Sequence, residues 1–330
     1  MFMSAGKLMG AGGAAGLGVA DVFSVYPYSG NTSTQNIVNG IDLSGLGGFV
    51  WCKSREPNAR THRLFDTARG ATNLLISSSD AAEAAASADV TAFNADGFSL
   101  GSNNDINGTG ETYVAWSFAK AEKFFDIVTW VGDSNNGREI EHSLGVQPGM
   151  IIVKDRSSAT NWIVWHLGTT SGYYLLLNTT AAEDSGGMNT RFGNGTSYVA
   201  PSDTILTIGN NSIINSVGDN YVAYLFAHDT SADGVIQCGS FTTDGSGNAT
   251  VTGLPGAPQY VLIKASSTTG NWIILDTARG WASGNDKSLL ANTIDAEVTT
   301  TDYGAPTSDG FTAAALSASQ TYIYMAIRAP

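Results

Sequence analysis

The chain has 330 residues, 42% of them apolar, 14% charged and 39 of them glycine, with two cysteines and a formal net charge of -13. Charged residues fall short of the roughly 25% of an average soluble domain, glycine exceeds its usual ~7%, and the Lys, Glu and Leu that build helix surfaces are scarce, which leaves a chain of short strands and tight turns. An acidic balance with no basic stripe excludes nucleic acid as a partner, because neutralising phosphates takes clustered Lys and Arg.

In chain order, residues 1–20 are rich in Gly and Ala, and Gly interrupts the apolar run too often for a good helix. They read as a flexible arm, with a signal segment as the alternative. Strand-like runs follow, and they recur three times. Each recurrence opens with an apolar strand, at Asp21–Tyr26, Phe125–Trp130 and Val235–Phe241. Next comes an apolar run ending in lysine: Phe49-Val50-Trp51-Cys52-Lys53, Met150-Ile151-Ile152-Val153-Lys154 and Tyr260-Val261-Leu262-Ile263-Lys264. A polar loop and another strand follow, and the first and third recurrences then share the run Asp66-Thr67-Ala68-Arg69-Gly70 and Asp276-Thr277-Ala278-Arg279-Gly280, where the second has His166-Leu167-Gly168. An Ala-Glu pair comes later in each, at Glu83, Glu183 and Glu297. An aromatic strand closes each recurrence, at Tyr113–Phe118, Tyr221–Phe226 and Tyr322–Ile327.

Alternation rich in β-branched and aromatic residues marks strands packed on at least one face, and Asn-Gly, Asp-Gly and Gly-Gly pairs mark the turns between them. The expected fold is all-β: three tandem related antiparallel β-sandwich units, lectin-like or jelly-roll-like, at residues 21–121, 122–230 and 231–330, packed on one another. Helix is nearly absent, its best candidate being a turn around Asp80 to Ala88. No run approaches the ~20 apolar residues of a membrane-spanning helix, so no membrane insertion is expected. Cys52 and Cys238 lie in separate apolar runs and form neither a disulfide framework nor a zinc site; each reads as a small buried hydrophobe.

The Asp-Thr-Ala-Arg-Gly run is the most distinctive motif. Asp66 with Arg69, and Asp276 with Arg279, are either polar groups of a sugar or ion site or braces of a turn in which Gly70 and Gly280 supply positive φ. The brace is the simpler reading, since the second recurrence does without the motif. Trp51, Trp116, Trp162 and Trp272 occupy shared strand positions and read as core. Trp165 and Trp281 are less regular, and an exposed Trp281 could stack on a sugar ring. His62, His142, His166 and His228 show no ligand spacing, and no catalytic or phosphate-binding fingerprint is present. A glycosidase needs two carboxylates in one cleft, and no spacing nominates a pair. The expectation is therefore a protein that is not an enzyme and holds no cofactor or metal.

The run from Asp21 to Phe118, with Asn39-Gly40-Ile41-Asp42-Leu43, the Lys53 strand, Leu64-Phe65-Asp66-Thr67-Ala68-Arg69-Gly70 and Asn94-Ala95-Asp96-Gly97-Phe98-Ser99-Leu100-Gly101, resembles a family of bacteriophage structural proteins of marine and aquatic tailed phages, often labelled tail fibre or tail protein. The later recurrences resemble the same family. The resemblance implies a virion protein on the phage tail: a tail-fibre or adhesin subunit that binds other virion proteins, forms a homo-oligomer with a trimer among the options, and contacts the host surface, a surface glycan being one candidate ligand. Weak repeated sites would gain from multivalency. A capsid decoration or head-fibre protein is the first alternative and a glycan-cleaving enzyme the second. Longer relatives continue past the counterpart of Pro330, which implies that a separate receptor-binding module lies outside this chain.

Overall fold

The computed structural model describes residues 17–58 and 60–330. Residues 1–16, most of the expected arm, lie outside the described residues. The chain is mostly strand, in antiparallel sheets that form roughly three pairs. One strand order recurs in each third of the chain. In the first, Phe23–Ser29 lies beside the closing strand Thr112–Ala119, which lies beside the lysine strand Gly48–Ser54 and then Arg63–Asp66. In the second the order is Phe125–Val131, Asn220–Ala227, Pro148–Asp155, Ile163–His166 and Leu175–Leu176. In the third it is Ile236–Thr242, Thr321–Arg328, Pro258–Ala265, Trp272–Asp276, Asp286–Leu290 and Val298–Thr301. A smaller sheet accompanies each main one: Gln35–Val38 with Gly97–Leu100 and Val90–Asn94, Arg138–Glu141 with Ile205–Ile208, and Ala249–Thr252 with Gly310–Ala313 and Pro306–Thr307.

Burial on both faces sets the main sheets apart. Every residue of Gly48–Ser54 and of Pro148–Asp155 is buried. The third shows why, because alternate residues join different cores. Tyr260 and Leu262 belong to a central cluster that draws on all three thirds, while Val261, Ile263 and Ala265 belong to a cluster between that third's own two sheets. The neighbouring strands alternate likewise: Trp272 and Ile274 against Ile273 and Leu275, and Ile323, Met325 and Ile327 against Tyr322, Tyr324 and Ala326. Two apolar faces make a strand read as a near-continuous apolar run, the pattern of a sheet covered on both sides. Alternation marked these strands as packed on at least one face, and the main sheets are packed on both.

The inner faces meet on a line of aromatic rings. Phe49 and Tyr224 lie 4.5 Å apart between centroids, Phe118 and Phe226 5.5 Å, and Phe23 and Tyr260 5.4 Å, each pair joining two different thirds.

Two local expectations are corrected. The arm does not reach residue 20: Val19–Val22 forms one helical turn whose Val19 and Val22, on one side of the turn, are buried with Leu17 packed beside them. The Ala-rich stretch Asp80 to Ala88 holds no helix. Ala84–Ala85 pairs instead as a short strand with Asn73–Leu74, and the amide of Glu83 donates to Arg156 O at 2.9 Å. Tertiary pairing overrides the helical preference of alanine there. Two further helical turns, Asn104–Asn107 and Ser212–Asn215, are set by asparagines at their starts, where Asn103 accepts from the amide of Asp105 and Asn211 from that of Ile213, both at 3.0 Å, whereas Met188–Arg191 starts from Gly187 without a side-chain cap.

A fragment of residues 17–230 would leave the inner faces of the first two sheets uncovered on one side. It is expected to bind a hydrophobic dye and to lack a cooperative calorimetric transition, whereas the full chain unfolds in one step. A cooperative transition in the fragment would show that the thirds are independent.

Candidate functional site

The recurring polar residues assemble at the seams between thirds, and each seam repeats the same contacts in the same direction. The lysines come first. Lys53, Lys154 and Lys264 are each the penultimate residue of their strand, and each is buried. Each ammonium donates to the carbonyl of the following residue, Ser54, Asp155 or Ala265, at 2.8, 2.7 and 2.6 Å. Each also reaches a loop of another third: Lys53 to Ile294 O at 3.4 Å, Lys154 to Asp80 O at 3.1 Å and Lys264 to Thr180 O at 3.4 Å. Burial pushes all three down to about 8.

Beside each lysine a second contact follows the same course. The indole of Trp162 donates to Ile76 O at 3.1 Å, that of Trp272 to Leu176 O at 2.9 Å, and the ring of His62, at the matching place, meets Leu290 O at 2.9 Å. The glutamates complete the set. The amides of Glu83, Glu183 and Glu297 donate to Arg156 O, Ser266 O and Arg55 O. Arg156 returns two bonds to the Glu83 carboxylate, both at 2.9 Å, and Arg55 two to Glu297, at 2.9 and 2.8 Å. The first third therefore grips the third, the second grips the first and the third grips the second. Three equivalent seams running one way form a closed ring.

The motif residues lie on the inner side of these seams. Asp66 and Arg69 form an ion pair with both side chains fully buried, and so do Asp276 and Arg279, at 2.6 Å. In each, the aspartate also accepts the amide of the arginine at 2.9 Å, which closes the turn, and the following Gly70 and Gly280 have φ of +96° and +112°. The arginines go on to Glu83 and Glu297, and to the carbonyls of Leu64 and Ile274. The aspartates face the ring centre. Tyr224 donates to Asp66 Oδ2 at 2.7 Å, and the indole of Trp116 to Asp276 Oδ2 at 3.0 Å, with the Arg279 guanidinium 5.3 Å from the Trp116 ring. These four residues sit beneath the surface, where they tie the turn, the glutamate and the next third together.

The second third solves the same problem without an ion pair. His166 takes the place of the aspartate. Its Nδ1 accepts the amide of Gly168 at 2.9 Å, and its Nε2 lies 3.1 Å from Tyr324 O, so the proton sits on Nε2 and the ring is neutral. Burial pushes it down to about 3. Thr169 stands where the arginine would be, Ser266 where the partner arginine would be, and Glu183 is held by the amide of Thr170 at 3.0 Å and by its hydroxyl at 2.5 Å.

Trp281 is only 2% exposed, so it offers no face for stacking. It packs on Phe311, and its indole donates to Gly304 O at 3.0 Å. Trp51, Trp116, Trp162, Trp165 and Trp272 are buried too, as are Cys52 and Cys238, whose thiols burial pushes up. Among the described residues no group of three or more His, Cys, Asp or Glu side chains is placed to hold a metal ion, and no helix is long and apolar enough to cross a membrane. Sequence reasoning used the lysines and the Ala-Glu pairs only as alignment marks. Their recurrence at one strand position was the available signal that they share a structural task.

A family described as a domain of unknown function, DUF7483, matches residues 19–329. The chain belongs to that family. The stretch matched by DUF7483 begins at the buried Val19, and it spans all three thirds and their seams. No curated protein matches the chain.

Arg69→Met is expected to cost about 3–5 kcal/mol in chemical unfolding, because it strands the Asp66 charge in the interior. Lys154→Met, which leaves the carbonyls of Asp80, Ser158 and Thr160 without their donor, is expected to cost about 2–3 kcal/mol, and more than Lys264→Met. The folded-state pKa of His166 lies below its unfolded value, so the unfolded chain binds the extra proton between the two. Stability contributed by the neutral ring is therefore present above pH 6.5 and falls as the pH drops toward 3. Over that window His166→Gln is expected to flatten the dependence of unfolding free energy on pH by up to about 1.4 kcal/mol per unit.

Proposed function

We propose that each third is a β-sandwich unit of the lectin-like, jelly-roll-like kind and that the chain is a bacteriophage virion protein: a tail-fibre or adhesin subunit that assembles on the phage tail and contacts the host surface. The observation that carries the reading is the closed ring of three equivalent seams. One chain supplies a threefold body by itself, able to seat on a threefold virion position as a single copy, with further copies adding avidity. The main sheets face the ring centre, so the smaller sheets and their unlike loops face outward, which suits display. The recurring charged side chains lie within the seams, where they hold the body together; this favours binding and display over catalysis, with no cofactor required.

The resemblance of Asp21–Phe118 to phage tail proteins supports the same reading. Gold-labelled antibody against the purified chain, applied to intact virions, is expected to decorate the tail. Label confined to the head would favour a capsid decoration protein, and particles free of the chain would overturn the virion reading.

A further inference from the structure

The second third holds an open cleft at a corner that bulky side chains occupy elsewhere. Where the third has Arg279 and Trp281, both buried, the second has Thr169 and Ser171. The result is a cleft of about 320 Å³ lined by Gln147, Trp165, His166, Thr169, Ser171 and Tyr198 among others, within the lower range of small-molecule clefts, ~300–1,000 Å³.

The lining has a definite chemistry. The half-buried Tyr198 supplies the aromatic surface, and its hydroxyl is held by a hydrogen bond from the indole of the buried Trp165 at 2.8 Å. That hydroxyl accepts from Trp165 and keeps its own proton for a ligand. The hydroxyl of Thr169 donates inward to His166 O at 2.7 Å, leaving its lone pairs to accept. The Gln147 amide nitrogen is held by Pro201 O at 3.0 Å, which fixes the orientation of its oxygen, and Ser171 stands exposed at the rim. No lining side chain carries a charge at neutral pH. His166 is neutral, and the nearby Glu183 is engaged by Thr170.

An aromatic surface beside hydroxyl and amide groups, without charge, suits a ligand that has one apolar face, many hydroxyls and no ionised group. We propose that this cleft binds one residue of a neutral saccharide. The inference deepens the attachment reading above and rests on it for its biological sense, but binding by the purified chain can fail or succeed independently of where virions carry the label.

The test titrates the full chain with methyl glycosides of neutral hexoses and N-acetylhexosamines, read by saturation-transfer NMR and tryptophan fluorescence. Glucuronate and N-acetylneuraminate serve as charged probes. At least one neutral glycoside is expected to bind saturably, in preference to both acids. Thr169→Arg restores the side chain present at this position in the other two thirds and is expected to weaken binding at least about tenfold with an unchanged melting temperature. Tyr198→Phe, which keeps the ring and removes the hydroxyl, is expected to weaken it less. If Thr169→Arg fails to fold, the Tyr198→Phe titration decides the matter. Saturable binding by neither class, binding by the acids alone, or binding that the folded variants leave unchanged would overturn the proposal.

Discussion

The inner faces of the three main sheets are dry on both sides, and this constraint governs the polar chemistry of the molecule. A strand between two apolar layers offers a polar side chain no water, so each buried donor or acceptor needs a partner inside the protein. The aspartates beneath the aromatic line accept from an arginine of their own turn and from a Tyr or Trp of another third. The lysines, forced inward at the ends of fully covered strands, turn to main-chain carbonyls, and half of those belong to the neighbouring third in the case of Lys53 and Lys264. Satisfying the polar groups and closing the ring are one operation, because the partners lie across the seams.

The ring is symmetric in geometry and unequal in chemistry. Two seams carry a two-bond Arg–Glu pair backed by a buried Asp–Arg pair, and the seam between the second and third thirds uses a neutral histidine, a serine and a threonine instead. Buried ion pairs hold geometry well but add little net stability against a well-packed neutral alternative, so the substitution keeps the ring closed. It also removes the long arginine side chain from one corner, and the cleft beside Trp165 and Tyr198 lies there. Loss of a seam charge and gain of a surface cleft trace to the same short segment, His166 to Gly172.

Much of this was legible in the chain. The alternation of apolar and aromatic residues announced antiparallel strands, the recurring lysine and closing strands announced one arrangement repeated, and the glycines after Arg69 and Arg279 announced turns that need positive φ. Those signals are local: they depend on side-chain period and on backbone freedom within a few residues. The turn around Asp80 to Ala88, the best candidate for helix in a chain expected to hold almost none, became strand for the complementary reason. Glu83 and its neighbours are claimed by strand pairing and by Arg156, more than seventy residues away in sequence.

The amino-acid order by itself determined the strands, their apolar faces, the turns and the threefold recurrence, since each follows from local stereochemistry and pattern. Tertiary structure alone decided that the recurrences close into a ring, that Trp281 is buried while the corresponding corner of the second third stands open, and that Lys53, Lys154 and Lys264 bridge seams. Those outcomes turn on which surface covers the second apolar face of each sheet, and a sequence pattern that marks a face as apolar does not say what will lie against it.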